Sequence, residues 1–438
     1  MRSTYVGRIL DLVPAESQQL RGASLDEART RLLSDYPRSL LELEGSFALV
    51  ARDGELVRLA RSLDRPLRYF LAKEATGPML IVADRVDAIR DALETEGYGD
   101  QFHPSYTRMV PAHHVTEIRL VGCPDPNPVH RRFFDPIPNR LPADVDAIGR
   151  AYVGALIEET RRFVEDVPGT EPLGVLFSGG VDSGAVLLAL HRVLREAGMS
   201  PARLKAFTLS VDGGGSDATQ ARAFLAAVGL EMLGEPIEVS ARAVDPLRAV
   251  EVIEDYKPLD VECAAVGMAL MQGIRDRYPT WLHLVDGDGG DENLKDYPIE
   301  ENPELTIRSV VANRMLYHEG WGIDAIKHSL TYSGGLSRGC VRGYAPARLH
   351  GFRLFSPLVS PRVIAVSEAI PFAELTRGSH EALYTLKGRV VASGIRQLTG
   401  AEMPAYPKRR FQDGALAARP RDGRSEVRYR GHFAALYP

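Results

Sequence analysis

The residues best suited to chemistry form the string Ser178-Gly179-Gly180-Val181-Asp182-Ser183. The apolar run at 174–177 predicts a buried strand before it, and the pattern at 185–194 predicts a helix after it. Glycines let the backbone approach a ligand, and free N–H groups at a helix N-terminus favour an anion. The two serines would add hydroxyl donors. The alternative is an ordinary strand-to-helix turn with a capping residue. We expect a phosphate-binding loop.

A second loop of this kind reads Asp286-Gly287-Asp288-Gly289-Gly290-Asp291-Glu292 and follows an apolar run at 281–285. Alone it could be a surface turn, since Gly/Asp turns are common. Strand and helix patterns alternate from residue 171 onward, which favours a doubly wound α/β domain with a parallel sheet. Ligands bind beyond the carboxyl ends of such strands, so the two loops should meet there with the loop after 207–210.

Together the two loops resemble the synthetase domain of the asparagine synthetases, which are ATP pyrophosphatases that leave AMP on the substrate. That family's second loop reads Gly-Glu/Asp-Gly-x-Asp-Glu, whereas the Walker-type string G-x-x-x-x-G-K-[ST] is absent here. The resemblance implies ATP and Mg²⁺ as cofactors, with the Mg²⁺ shared by Asp182 and Asp291 as hard oxygen ligands. The ATP-binding residues it implies are Ser178, Gly179, Gly180, Asp182, Ser183, Leu209, Gly287 and Gly289.

A basic segment near the C-terminus, Pro407-Lys408-Arg409-Arg410-Phe411, resembles the family's Pro-Lys-x-x-Phe segment. The resemblance makes Lys408 a catalytic cation that offsets the charge developing as the adenylate forms. The alternative interpretation is a solvated basic run.

The acceptor side departs from the family pattern. In Gly351-Phe352-Arg353-Leu354-Phe355, Arg353 stands where the family has a Glu, and Phe355 stands where it has an Arg. Asp288 stands where the lactam synthetases carry a Tyr. The resemblance implies catalytic roles for Asp288 and Arg353, and Arg353 suggests a substrate with an anionic group. The alternative for Arg353 is a structural ion pair.

The N-terminal third is strand-rich, and Asp53-Gly54 between two strand patterns predicts a hairpin. Residues 44–136 resemble the second half of the glutamine-amidotransferase domain of the same family. That domain uses an N-terminal Cys nucleophile, whereas the first Cys here is Cys123. We therefore predict a degenerate, glutaminase-inactive, Ntn-type α+β domain at 1–137, a proline-rich linker at 136–142, and the synthetase domain at 138–438.

Composition excludes several classes of protein. A net charge of −5 over 438 residues gives no bulk electrostatic case for nucleic acid or membrane. No apolar window approaches a bilayer span, and the three cysteines lack zinc spacing. We expect a cytoplasmic protein with no nucleic-acid or membrane partner, and the oligomeric state stays open, with a homodimer as one alternative.

The leading hypothesis is an AMP-forming ligase that joins a small-molecule carboxylic acid to ammonia or an amine. Two alternatives stay open: an intramolecular lactam or lasso-peptide cyclase of a specialised pathway, and a non-catalytic nucleotide-binding scaffold. Acid-dependent ATP–pyrophosphate exchange separates the enzymes from the scaffold.

Overall fold

A computed structural model describes residues 8–74, 78–120, 128–213, 215–296, 299, 306–312, 340–406 and 424–437. All structural statements concern these residues. The predicted catalytic Lys408 and the first cysteine, Cys123, lie outside them.

The N-terminal part consists of short strands and two helices within the described residues. The strands are β1 (Ile9–Asp11), β2 (Gln19–Arg21), β3 (Glu44–Ser46), β4 (Ala48–Asp53), β5 (Leu56–Arg61), β6 (Arg68–Ala72), β7 (Met79–Ala83), β8 (Arg108–Met109), β9 (His114–Arg119) and β10 (Val129–Arg132). The helices are α1 (Leu25–Leu33) and α2 (Val86–Thr95). The predicted hairpin is confirmed, because β4 and β5 pair antiparallel around Gly54.

Two four-stranded sheets, in the orders β1-β7-β6-β8 and β10-β9-β5-β4, pack face to face. Alternation along β4 shows why: Ala48 and Val50 face the other sheet, whereas Leu49 and Ala51 face α1. On the far side, Ile89 and other apolar residues of α2 cover β6 and β7. The layers are therefore helix, sheet, sheet and helix.

The rest of the chain is built on a parallel sheet whose described strands are β11 (Leu173–Leu176), β12 (Leu204–Val211), β13 (Gly234–Val239), β14 (His283–Val285) and β15 (Arg353–Phe355). Their order is β13-β12-β11-β14-β15, so the chain reverses direction across the sheet between β11 and β14. This reversal is the topological switch point at which open α/β sheets bind ligands.

Helices cover both faces of this sheet. The described α-helices of this part of the chain are α3 (Val145–Asp166), α4 (Val181–Glu196), α5 (Ser216–Ala227), α6 (Pro246–Ile253), α7 (Pro258–Arg277), α8 (Gly290–Asn293), α9 (Ile307–Ala312), α10 (Ala345–Leu349), α11 (Pro361–Glu368), α12 (Phe372–Thr376), α13 (His380–Thr399) and α14 (Arg424–Leu436). Apolar residues of α3, α4 and α13 share one core with β11. Apolar residues of α7 pack on the other face against β12 and β14.

The prediction of a mixed α/β domain with a parallel sheet is confirmed, although the prediction did not include every strand. The sequence patterns did not predict β13 and β15, which are the two edge strands. Helix α4 begins at Val181, four residues before the start of the apolar pattern at residue 185, so Asp182 and Ser183 lie in its first turn. In the described parts of the chain, no helix combines the length and hydropathy that a membrane span requires.

Helices α3 and α13 approach closely through two glycines. A Cβ added to Gly149 would lie 2.5 Å from the carbonyl oxygen of Val390 and 2.8 Å from the backbone nitrogen of Gly394. Both neighbours are backbone atoms, which cannot move aside as a side chain can. The close contact sets the distance between the two helices.

We predict that Gly149→Ala lowers the free energy of unfolding by about 1–3 kcal/mol, because the added methyl group overpacks this contact. Gly154 lies on the same helix, but its Cβ would meet only the Leu398 Cδ1, at 3.9 Å. Gly154→Ala is therefore the matched control and should leave stability unchanged or raise it by up to about 1 kcal/mol. Urea unfolding measures both, and equal effects of the two substitutions would contradict the prediction.

Candidate active site

The first loop joins β11 to α4 in the geometry that the sequence predicts. Helix α4 has Gly180 as its N-cap, without a side-chain cap, so backbone N–H groups of its first turn point out of the helix end. The Ser178 and Ser183 hydroxyl oxygens lie 3.3 Å apart, and the Gly180 N–H donates to Ser178 Oγ at 3.3 Å. The loop therefore concentrates donors beside a helix N-terminus, as an anion requires.

Gly179 is required at its position for two reasons. Its φ is 73°, a left-handed conformation that side chains rarely adopt. A Cβ there would also lie 2.8 Å from the Cα of Ala221 on α5. A larger residue would separate the loop from α5.

The second loop lies directly against the first. A Cβ on Gly287 would be 2.8 Å from the Ser183 backbone nitrogen, and a Cβ on Gly290 would overlap the Asp182 carboxylate. Both glycines are thus needed for contact between the loops. The structure brings together Ser178, Asp182, Ser183, Gly287 and Asp291, as the sequence predicts.

Lys387 on α13 joins the two predicted metal ligands. Its Nζ lies 2.5 Å from Asp182 Oδ2, forms a second ion pair with Asp291 Oδ1, and is 3.5 Å from Asp296 Oδ2. Burial lowers the pKa of Lys387, but the three carboxylates outweigh burial and raise the pKa well above its ordinary value. A protonated amine therefore balances the negative charge here.

Sequence reasoning missed Lys387, although the sequence carries a signal for it. The residue stands among Leu383, Leu386, Val390 and Val391 on the buried side of an amphipathic helix. A lysine on such a face requires buried carboxylates as partners. A search for those carboxylates would have pointed to the loop aspartates.

The chemistry of the donors fits Mg²⁺. Asp182 and Asp291 converge on one cation, and carboxylate oxygens are the ligands that Mg²⁺ prefers. Among the described residues, no group of three or more His, Cys, Asp or Glu is arranged to hold a metal on its own. Two carboxylates completed by phosphate oxygens and water are the usual Mg²⁺ site in nucleotide enzymes.

Asp286 and Asp288 form an acidic pair next to this centre. The Asp288 N–H donates to Asp286 Oδ1 at 3.2 Å. Burial, with the Asp288 charge as the second cause, raises the pKa of Asp286 to about 8. Arg342 Nη2 lies 3.5 Å from Asp288 Oδ1. A Cβ on Gly343 would lie 3.2 Å from Asp286 Oδ2 and 3.9 Å from Asp288 Oδ2, so both carboxyl groups face the space at this glycine.

The remaining predicted residues are distributed differently. Leu209 lies in β12 opposite Ile237, and its side chain is part of the core, so only its backbone could contact a nucleotide. Gly289 has a φ of 98° and precedes α8. Gly289, like the other loop glycines, contributes through its backbone and not through a side chain.

Arg353 does not join the site. It is exposed at the start of β15 and pairs in register with His283, whereas Asp286 follows the opposite end of β14. Burial lowers the pKa of His283, and the Arg353 charge lowers it further, so the two side chains are neighbours. Phe355, in the same strand, stacks on Phe163 with ring centroids 4.5 Å apart.

The fold and the two loops define a class of protein: a doubly wound α/β domain in which two glycine-rich loops meet at the switch point. Residues 160–343 match the family model described as asparagine synthase. This segment of the chain is thus similar to the asparagine synthase family, whose domain implies ATP binding and ATP-dependent amide ligase activity in general. The match includes both glycine-rich loops and ends before Arg353 and Lys387. No curated protein matches the chain in a direct sequence comparison.

We predict that Lys387→Met lowers the free energy of unfolding by about 3 kcal/mol in the presence of EDTA, because the loop carboxylates lose their buried cation. Millimolar Mg²⁺ should recover part of this loss, since the ion can occupy the space between Asp182 and Asp291. Lys73→Met at an exposed position is the control. Thermal unfolding with and without Mg²⁺ is the measurement, and an Mg²⁺ response no larger than that of the wild type would contradict the expectation.

The raised pKa of Asp286 predicts that the stability of the protein depends on pH. The carboxyl group stays protonated in the folded state up to about pH 8, whereas the unfolded chain releases the proton near pH 4. The folded state thus binds one more proton at Asp286 in this window, and the contribution of Asp286 to stability falls by about 1.4 kcal/mol per pH unit as pH rises. Asp286→Asn should remove this slope. Urea unfolding between pH 5 and 7 measures it, with Asp26→Asn as an exposed control; parallel curves for wild type and Asp286→Asn would refute it.

Proposed function

We propose that the chain is an AMP-forming ligase that adenylates a substrate carboxylate and then forms an amide with ammonia or an amine. The convergence of the two glycine-rich loops at the switch point supports this proposal. Gly287 and Gly290 hold the second loop against Ser183 and Asp182, so the phosphate site and the acidic pair are neighbours. Both halves of such a reaction could therefore occur in one site.

The ATP phosphates would lie at the N-terminus of α4. Ser178, Ser183 and the backbone N–H groups from Gly180 onward would bind the pyrophosphate. Gly287, Gly289 and the backbone at Leu209 would contact the rest of the nucleotide. Mg²⁺, when bound by Asp182 and Asp291, would offset the charge of the phosphates.

The first step would be attack of the substrate carboxylate on the α-phosphate. The O–P bond to the carboxylate forms as the bond to the leaving pyrophosphate breaks. The α4 N-terminus and its hydroxyl donors would stabilise charge on the leaving group. We propose the same role for Lys408, which lies outside the described residues.

The second step would take place beside Asp286 and Asp288. The nitrogen nucleophile attacks the acyl carbon, AMP leaves, and one proton must leave the nitrogen. Both carboxyl groups face the space at Gly343, so we propose that Asp288 accepts this proton and that Asp286 helps to hold the amine. Arg353 has no part in this scheme, because it lies at the other end of the strand.

We further propose that residues 1–137 form a degenerate glutamine-amidotransferase-like domain of the Ntn type. The order of helix, sheet, sheet and helix supports this assignment. Two buried arginines lie at the end of β5 and just beyond it. Arg61, the last residue of β5, donates to the Val110 carbonyl at 2.6 Å, and Arg65 donates to the hydroxyl of Ser17 at 2.8 Å.

We predict that Asp182→Asn abolishes acid-dependent ATP–pyrophosphate exchange, a loss of at least about a hundredfold, because the loop then lacks a ligand for Mg²⁺. The fold should persist, since Asn is nearly isosteric with Asp. Asp26→Asn, at an exposed position on α1, is the matched control. Exchange is measured over a panel of carboxylic acids, and a variant that retains exchange would refute the metal role.

Isotope transfer tests the adenylation step itself. With ¹⁸O in the substrate carboxylate, amide formation through an acyl-adenylate should transfer one label to AMP, because the carboxylate oxygen stays on the α-phosphate. Mass spectrometry of the products is the measurement. Label found only in inorganic phosphate would show attack on the γ-phosphate and would overturn the proposal.

A further inference from the structure

A cavity of about 500 Å³ lies where the N-terminal sheets meet α6, α10 and α14. The residues around it include Arg68, Arg248, Glu254, Tyr344 and Leu349. None of the residues assigned above to ATP, Mg²⁺ or the acidic pair lines it. The cavity is therefore distinct from the nucleotide site.

The carboxylates of this cavity are already occupied by partners. Glu254 accepts the N–H groups of Val86 and Asp87, each at 2.9 Å, and the Tyr437 hydroxyl at 3.2 Å. Glu251 binds Arg248 and accepts from His432 at 3.1 Å. These acids have little capacity left for a cationic ligand.

The arginines, by contrast, retain unused donors. A guanidinium carries five N–H donors on three nitrogens. Within the described residues, Arg68, Arg248 and Arg348 each donate from Nη1 alone. The Arg68 Nε is buried without a partner, in a side chain that is only 3% exposed. An excess of guanidinium donors favours an anion, and carboxylate or phosphate matches the planar fork.

The cavity also has an apolar wall. Leu349, although 46% exposed, lines it together with Tyr344 and Tyr437. An apolar or aromatic body would bury surface against these side chains. The lining thus fits a molecule with an anionic end and an apolar body.

One short segment joins the cavity to the acidic pair. In the π-helical turn at Cys340–Tyr344, Gly343 lies against Asp286 and Asp288, whereas the next residue, Tyr344, lines the cavity. Adjacent Cα atoms are 3.8 Å apart. The cavity and the acidic pair are therefore bordered by consecutive residues of one turn.

We propose that this cavity binds the anionic end, carboxylate or phosphate, of a small molecule through Arg68, Arg248 and Arg348. The body of the molecule packs against Tyr344 and Leu349. The anion is either the far end of the acid substrate or a separate small molecule; only the first alternative rests on the proposed ligase function.

The test is calorimetric titration of the full chain with phenyl phosphate and with benzoate, with benzyl alcohol as the uncharged probe. Saturating Mg²⁺ and α,β-methylene-ATP fill the nucleotide site during the titration. We expect saturable binding of both anions and none of the alcohol. Arg248→Gln should weaken binding roughly tenfold, because it removes a charged donor.

A matched pair at Leu349 keeps the test independent of the ion-pair network. Leu349→Glu places a negative charge at the cavity and should weaken anion binding roughly three- to tenfold relative to Leu349→Gln. Leu349→Gln makes a change of similar size without adding a charge. Arg353→Gln, at an exposed arginine away from the cavity, should bind as the wild type does. Absence of saturable binding to the wild type, or equal affinities in Leu349→Glu and Leu349→Gln, would overturn the proposal.

Acid-dependent exchange kinetics then identify the source of the anion. If the far end of the substrate occupies the cavity, Leu349→Glu raises the KM of the acid and leaves the KM of ATP unchanged relative to Leu349→Gln. If the anion is a separate molecule, the KM of the acid stays unchanged while the calorimetric difference remains. Calorimetry needs no turnover, so a failure of the ligase function leaves this result interpretable.

Discussion

The charge balance around Lys387 is the interaction on which the site depends. Asp182 comes from the first loop, Asp291 from the second, and Asp296 follows shortly after it. Without a cation these partly buried carboxylates would repel one another, which would weaken the contact between the two loops. The ion pairs and the glycine contacts therefore act together. The glycines allow the two loops to approach each other, and the positive charge of the lysine offsets the repulsion between their carboxylates.

The close packing of α3 and α13 contributes to the position of that lysine. Lys387 must reach the carboxyl edge of the sheet from a helix that covers one of its faces. The contact between Gly149 and Gly394 sets how closely α13, which carries Lys387, packs against α3. Packing far from the loops is thus part of what positions the charged centre.

Several parts of this arrangement could be predicted from the sequence, and others could not. The loops at Ser178 and Asp286 stand out because their residue types are unusual and follow apolar runs. The edge strands β13 and β15 have weaker patterns: β15 has only three residues, and its pairing depends on distant partners. Arg353 was expected to be catalytic from its aligned position alone, and alignment does not reveal which end of a strand a side chain occupies. The role of Lys387 could not be predicted without knowing which carboxylates its side chain contacts.

The region that matches the asparagine synthase family ends at residue 343, whereas the parallel sheet and its helices continue beyond that residue. Strand β15, which pairs with β14, and helix α13, which supplies Lys387, both follow that point. The matched segment is therefore not an autonomous module. A chimaera or an excised domain cut after residue 343 would carry both loops but leave β14 as an open sheet edge and the aspartates without their cation.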